Sequence, residues 1–395
     1  MPTVNMTNLI HPDVPEQPGG VPVVTPIFQT STYELPRDET GAQIAASVAP
    51  AGYYTRYGSP NARECEAMLR DLDGAEAALL VGSGMAAVTV ALLANLRAGD
   101  HVVAQTTHYT GTLTVLTELL PRYGVQVSMV DQTDTPGLVA AITDRTALVY
   151  TETPSNPLLA LTDLAEVSAA AHAHGALHVT DNTFATPYNT SPLELGVDLV
   201  VQSATKYLNG HSDVTAGVLT GRAELIERAW ELARVQGPLC HPFEAWLLAR
   251  GLRTFPLRMR RHNENAQAVA DFLTTAPGVT RVHYPGLDGH PQRDLARRQM
   301  RGYGGVLSFE VVGGSAGAAA VLRGTRMLRN AVSLGGPETL ITHPGSLVFA
   351  HQSDAELDRA GIRPGLLRLA VGLEEPEDII ADLRTALAAV NGDRS

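Results

Sequence analysis

From Asn61 onward the chain repeats one pattern: a short apolar run, a polar turn, then a segment of helical length. Strands are expected at Ala77–Val81, Val102–Gln105, Val125–Val130, Ala147–Thr151, Leu177–Thr180 and Leu199–Gln202. Helices are expected at Ala62–Leu72, Met85–Leu96 and Leu164–His174. Short apolar, β-branched runs separated by helices predict an α/β fold with a mostly parallel sheet covered on both faces. Ligands of such sheets bind in the loops at the carboxyl ends of the strands. After Val218–Thr220 the pattern turns helical to about Leu273, with a break at Pro256. Strands at Val279–His283, Val306–Val311 and Leu366–Val371 and a last helix at Asp378–Val390 predict a smaller α+β unit. The expected organisation is an N-terminal arm (1–60), a large domain (61–255) and a small C-terminal domain (256–395). The arm carries Pro12, Pro15, Pro18, Pro22, Pro26, Pro36 and Pro50. It is expected to be extended, with little regular structure, and to embrace a partner subunit.

Composition excludes several classes. Ala77 to Leu96 is uncharged and long enough for a membrane span, but Gly82-Ser83-Gly84 interrupts it, so a strand–turn–helix unit is expected instead. A net charge of -12 argues against nucleic acid or an anionic membrane as partner. The basic run Arg250, Arg253, Arg258, Arg260 and Arg261 reads as the solvated face of a helix. Cys65 and Cys240 make no disulfide framework, and the N-terminus shows no signal-peptide pattern, so a cytoplasmic protein is expected. His172, His174 and His178 read as solvated. The first two are two residues apart and lie on different faces of a helix, so no metal site is expected.

Lys206 is the only lysine; the other basic residues of the Lys+Arg total of 29 are arginines. Arginine does not lose its proton near neutral pH, whereas lysine can, and only a neutral amine attacks a carbonyl to form a Schiff base. Lys206 follows a predicted strand within Ser203-Ala-Thr205-Lys206. At other strand ends lie Gly82-Ser83-Gly84-Met85, whose free N–H groups at a helix start suit a phosphate, the carboxylate Asp181, Asn156 between two prolines, and Tyr109, able to stack on a planar ring. A phosphate cradle, a carboxylate, a stacking aromatic and a lysine able to deprotonate suit pyridoxal 5′-phosphate (PLP). Two other readings fail. A Ser-x-x-Lys acyl enzyme needs a second lysine, and Gly82-Ser-Gly84 lacks the third glycine of a dinucleotide turn.

The same segments carry a resemblance. Tyr54-Thr-Arg56, Gly82-Ser-Gly84-Met85, Glu152-Thr-Pro-Ser-Asn156-Pro, Val179-Thr-Asp181-Asn, Ser203-Ala-Thr205-Lys206-Tyr-Leu-Asn-Gly-His, Ser333-Leu-Gly-Gly-Pro-Glu338 and Leu366-Leu-Arg368 resemble the Cys/Met-metabolism family of PLP enzymes, in that order along the chain. The resemblance implies the aspartate-aminotransferase-like fold. It implies that Lys206 bonds the cofactor, Asp181 pairs with the ring nitrogen, and Tyr109 stacks on the ring and serves as acid and base. Ser83, Gly84, Met85, Ser203 and Thr205 would hold the phosphate, and Asn156 would sit near the ring hydroxyl. Arg368 would bind the substrate carboxylate, with Ser333 beside it. Tyr54 and Arg56 would reach the phosphate of a neighbouring subunit, in a homotetramer built of two dimers that share active sites.

Within the family, Val282-His-Tyr-Pro-Gly-Leu and Leu295-Ala-Arg-Arg-Gln-Met are most similar to methionine γ-lyases. The expected activity is γ-elimination on a sulfur amino acid; cystathionine γ-lyase and γ-replacement enzymes are the alternatives. Three departures bear on the substrate; one is Ala233-Arg234, which stands where methionine γ-lyases carry Lys-Asp. Gly111 stands where methionine γ-lyases carry cysteine, and Leu347-Val348-Phe349 stands near the usual Met-Thr-His.

Overall fold

The structure is a computed structural model and describes residues 6–11, 22–350, 353, 357–358 and 360–392. A seven-stranded sheet is built from β1 (Ala77–Val81), β2 (His101–Gln105), β3 (Gln126–Val130), β4 (Thr146–Glu152), β5 (Leu177–Asp181), β6 (Leu199–Gln202) and β7 (Gly217–Gly221), in the order β1-β7-β6-β5-β4-β2-β3. The pairings among β2 to β6 are parallel. Strand β7 is antiparallel to both of its neighbours. The reason is local: no helix crosses over between β6 and β7, and the connection is the turn that carries Lys206.

Helices cover both faces, as the uninterrupted burial of β2 and the nearly continuous burial of β4 require. One core cluster joins Leu79, Val81, Val102, Leu148 and Leu219 to the helices Gly84–Leu93 and Ala223–Gln236. The other joins Leu80, Val218 and Ala216 to Met68, Leu248 and Phe255. Helix Pro60–Asp73 shows why these elements begin and end where they do. Ser59 Oγ accepts from Ala62 N, Pro60 starts the first turn, and Gly74 stops the helix at φ 65°.

A second sheet contains β8 (Val279–His283), β9 (Val306–Val311), β10 (Arg329–Asn330), β11 (Leu340–Thr342) and β12 (Leu366–Ala370), ordered β10-β11-β12-β9-β8. Strands β10 and β11 are too short to leave a readable apolar pattern. Arg368 sits in the middle of this sheet, opposite Ser308 and Thr342.

Three expectations need correction. The arm holds two helices, Met6–Ile10 and Glu39–Ala46, while Pro12, Pro15 and Pro18 lie outside the described residues. One member of the basic run departs from the expected solvated face: Arg250 and Arg260 are exposed, but Arg258 is buried, donating to the carbonyls of Tyr207, Leu208 and Gly251. It braces the chain directly after Lys206. His178 is also buried, its ring between Ser168 Oγ at 2.7 Å and Thr151 Oγ1 at 2.9 Å. Among the described residues, no helix is long and apolar enough to cross a membrane.

Candidate active site

A cavity of about 450 Å³ opens where the carboxyl ends of β4, β5 and β6 meet the second sheet. Lys206 and Arg368 both line it. The Lys206 Nζ donates to Ser333 Oγ at 2.7 Å. Burial lowers the amine, and the nearby Arg368 charge lowers it further, to about 8. A usable fraction is therefore neutral at physiological pH. Ser333 itself takes a positive φ of 87°, a conformation that favours glycine. Two residues on, Gly335 passes so close to the lysine turn that a Cβ there would meet Tyr207 N at 2.5 Å.

Arg368 is only 5% exposed. Its Nη1 donates to Asn156 Oδ1 at 2.9 Å and its Nη2 to the Ser333 carbonyl at 3.0 Å. Its Nε has no partner, and it makes no ion pair among the described residues. Burial lowers its pKa to about 10, which leaves it charged at neutral pH. A buried guanidinium beside the cavity with its Nε unpaired has the chemistry that suits a carboxylate. Asn156, on the loop with cis bonds at Thr153–Pro154 and Asn156–Pro157, holds that guanidinium.

Asp181 ends β5 and accepts from Thr183 N at 2.9 Å. Burial, and then the Glu152 carboxylate, raise it well above the usual carboxylate range. A cationic ring nitrogen would reverse that penalty. Tyr109 is 49% exposed at the cavity mouth, and its backbone N–H donates to Glu152 Oε2 at 2.8 Å.

At the opposite end of the cavity, Ser83 Oγ caps the helix Gly84–Leu93 by accepting from Ala86 N at 3.0 Å. The N–H groups of Gly84 and Met85 have no acceptor inside that helix. A Cβ on Gly84 would meet Ser203 Cβ at 2.7 Å, so only glycine lets this helix start close against the lysine turn. Ser203 N donates to Thr183 Oγ1 at 2.8 Å, and Thr205 Oγ1 lies 3.0 Å from Ala216 N, from which it accepts. The free N–H groups of Gly84 and Met85 at this helix start suit an anion, with Ser203 and Thr205 beside them in the cavity lining. An aldehyde with a phosphate tail and a ring nitrogen finds a matching group for each of its parts here.

Tyr54 and Arg56 do not line this cavity. Arg56 Nη1 donates to the Arg234 carbonyl, and its guanidinium stacks 5.5 Å from the Tyr54 ring. Two of the departures from the methionine γ-lyase pattern are at the site, while Ala233-Arg234 does not line this cavity. A Cβ on Gly111 would meet Met85 Sδ at 2.8 Å and Tyr109 Cε1 at 2.9 Å, so the Tyr109 ring and Met85 occupy the space a side chain would need. Leu347 and Val348 line the cavity with Val332, whereas Phe349 is buried with Ile362 and Leu366.

Sequence reading missed Glu152 and Thr183 as site residues, although Glu152 opens a quoted segment. Their use depends on the β4–β5 register and on a turn contact.

A model of the family described as Cys/Met metabolism PLP-dependent enzyme matches residues 6–388. The chain belongs to that family. The cofactor of this PLP-dependent enzyme is pyridoxal 5′-phosphate, and its substrate is an amino acid. An L-methionine gamma-lyase from Fusobacterium nucleatum subsp. nucleatum is 44% identical over 369 residues, spanning 92% of this chain and 93% of its own. An O-succinylhomoserine sulfhydrylase from Pseudomonas aeruginosa is 39% identical over 92% of this chain and 90% of its own. The crystal structure of metB from Corynebacterium glutamicum matches with a TM-score of 0.90 at 34% identity, over 97% of each chain. The architecture is therefore the PLP-dependent, aspartate-aminotransferase-like fold of that family.

Proposed function

We propose that this PLP enzyme is a methionine γ-lyase, converting methionine to methanethiol, 2-oxobutanoate and ammonia. The observation that carries the reading is a carboxylate receptor, Arg368, and an amine lowered to about 8, Lys206, beside an apolar wall of Val332, Leu347 and Val348. Arg368 takes the substrate carboxylate as a two-pronged fork, steadied by Asn156. PLP, when bound, supplies an electron sink beside the α-carbon. The Lys206 amine accepts the α-proton, with Ser333 Oγ orienting it. Asp181 keeps a proton on the ring nitrogen, and Tyr109 hands a proton to the departing sulfur. Ser83, Gly84, Met85, Ser203 and Thr205 hold the phosphate.

Lys206 and Arg368 are the only Lys or Arg side chains among the described residues lining the cavity, and both are already engaged. The second carboxylate of cystathionine would find no further Lys or Arg among the described residues lining the cavity, which favours methionine. Feeding methionine, cystathionine, homocysteine and O-succinylhomoserine separately tests this. Methionine should give 2-oxobutanoate and methanethiol with the highest kcat/KM; faster turnover of cystathionine, or exchange in place of elimination, would refute the assignment.

The reading includes a homotetramer of two dimers with shared sites, a division near residue 255, and a cytoplasmic location consistent with two buried free cysteines. Arg56 and Tyr54 would complete the phosphate site of the neighbouring subunit. Mixing two inactive variants should reveal this. Arg56→Ala damages the neighbour's site and Lys206→Ala its own, so a mixed dimer carries both defects in one site and none in the other. Reassembled mixtures should recover about half of the wild-type rate per mixed dimer. Mixtures as inactive as either parent would place Arg56 in the service of its own chain.

A further inference from the structure

Strands β4 and β5 end side by side on two acids: Glu152 and Asp181 are register partners. Both side chains are buried. Among the described residues, neither makes an ion pair with lysine or arginine; the His108 ring lies beside Glu152, its Nδ1 3.6 Å from Glu152 Oε2. The two acids are not equivalent. Glu152 Oε2 accepts from Tyr109 N at 2.8 Å. His108 Nε2 accepts from Gln105 N at 3.1 Å, which assigns the ring proton to Nδ1, the nitrogen that faces Glu152. Asp181 has the Thr183 turn alone. Tyr150, buried on β4 two residues before Glu152, faces both acids from within the sheet. Lys206 and Arg368 are the cations of the same cavity.

We propose that Glu152 is a positioning residue with two tasks: it anchors Tyr109 by the backbone, and its negative charge strengthens the hold of Asp181 on a ring-nitrogen proton. The proposal rests on the reading that Asp181 faces that nitrogen. The physics is that of adjoining carboxylates. Two like charges in a buried site resist ionising together, so a charge on one raises the proton affinity of the other. Glu152 has the Tyr109 N–H bond and the His108 ring beside it, whereas Asp181 has its own turn only. Burial and Glu152 together account for the raised Asp181. A cation placed on Asp181 then neutralises one charge and remains attracted to the second.

Holoenzyme loaded with ring-15N PLP provides the test, since the nitrogen shift reports its protonation independently of turnover. In Glu152→Gln, which keeps an acceptor for Tyr109 N, the pH at which the ring proton is lost should fall by about one unit or more, a tenfold change in proton affinity. Glu152→Asp should retain most of the wild-type midpoint. An unchanged midpoint in Glu152→Gln, together with a large fall in Asp181→Asn, would overturn the role of Glu152. No fall in either variant would overturn the placement of Asp181 itself. Carboxyl 13C spectra of the wild-type apoenzyme give a second check that needs no variant. Asp181 should titrate near neutrality; a midpoint in the ordinary carboxylate range would refute the proposal.

Discussion

Replacing Lys206 by arginine should leave a folded protein whose turnover falls by at least about 10³-fold. Arginine is long enough to reach Ser333 Oγ, so the contact seen at 2.7 Å has a substitute. It cannot form the imine, nor give up its proton near neutral pH. Borohydride reduction of the wild-type holoenzyme should attach one pyridoxyl group per chain, found on Lys206 by peptide mass, and none in the variant. A label elsewhere, or an active arginine variant, would end the proposed mechanism. The lowered amine adds a pH signature. Capture of PLP by apoenzyme requires the neutral amine, so its rate should rise as pH passes through about 8 and level off above.

Arg368→Ala should produce the second large loss. Removing a buried group that holds the substrate charge costs about 2–5 kcal/mol, or roughly 30-fold to several thousand-fold in kcat/KM. Arg368→Lys should rescue little, because an ammonium lacks the planar fork. Stability should move the other way. With no ion pair among the described residues and an unsatisfied Nε, the guanidinium is a cost to the ligand-free fold. Arg368→Met should therefore hold or raise the apoprotein melting temperature while activity collapses. A marked drop in melting temperature would mean that Arg368 serves the fold instead.

The strand–turn–helix units were legible because their signals are local. Apolar runs mark β1, β5 and β6, and Gly74 and Ser59 mark helix ends on neighbouring residues. Lys206, Asp181 and Tyr109 were legible because strand ends are where α/β folds bind ligands, and the structure brings all three to one cavity. What escaped notice depends on partners far away in the chain. Arg258 reads as one charge in a basic run, and nothing near it announces that the Tyr207 and Leu208 carbonyls need a donor. His178 looked solvated because its partners, Ser168 and Thr151, come from other elements. The direction of β7 was hidden because an apolar run carries no orientation; the missing crossover helix decides it.

The lone ε-amine at the floor of the cavity has a practical corollary. Reagents that modify proteins through lysine usually meet many surface targets and report nothing in particular. In this chain an amine-directed ester or dialdehyde has one lysine to find, and reaching it means entering the substrate's place. Immobilising the protein through lysine would therefore silence it. Counted on the Lys206 peptide, so that the chain's α-amine does not contribute, labelling becomes an occupancy gauge that falls in step with cofactor loading.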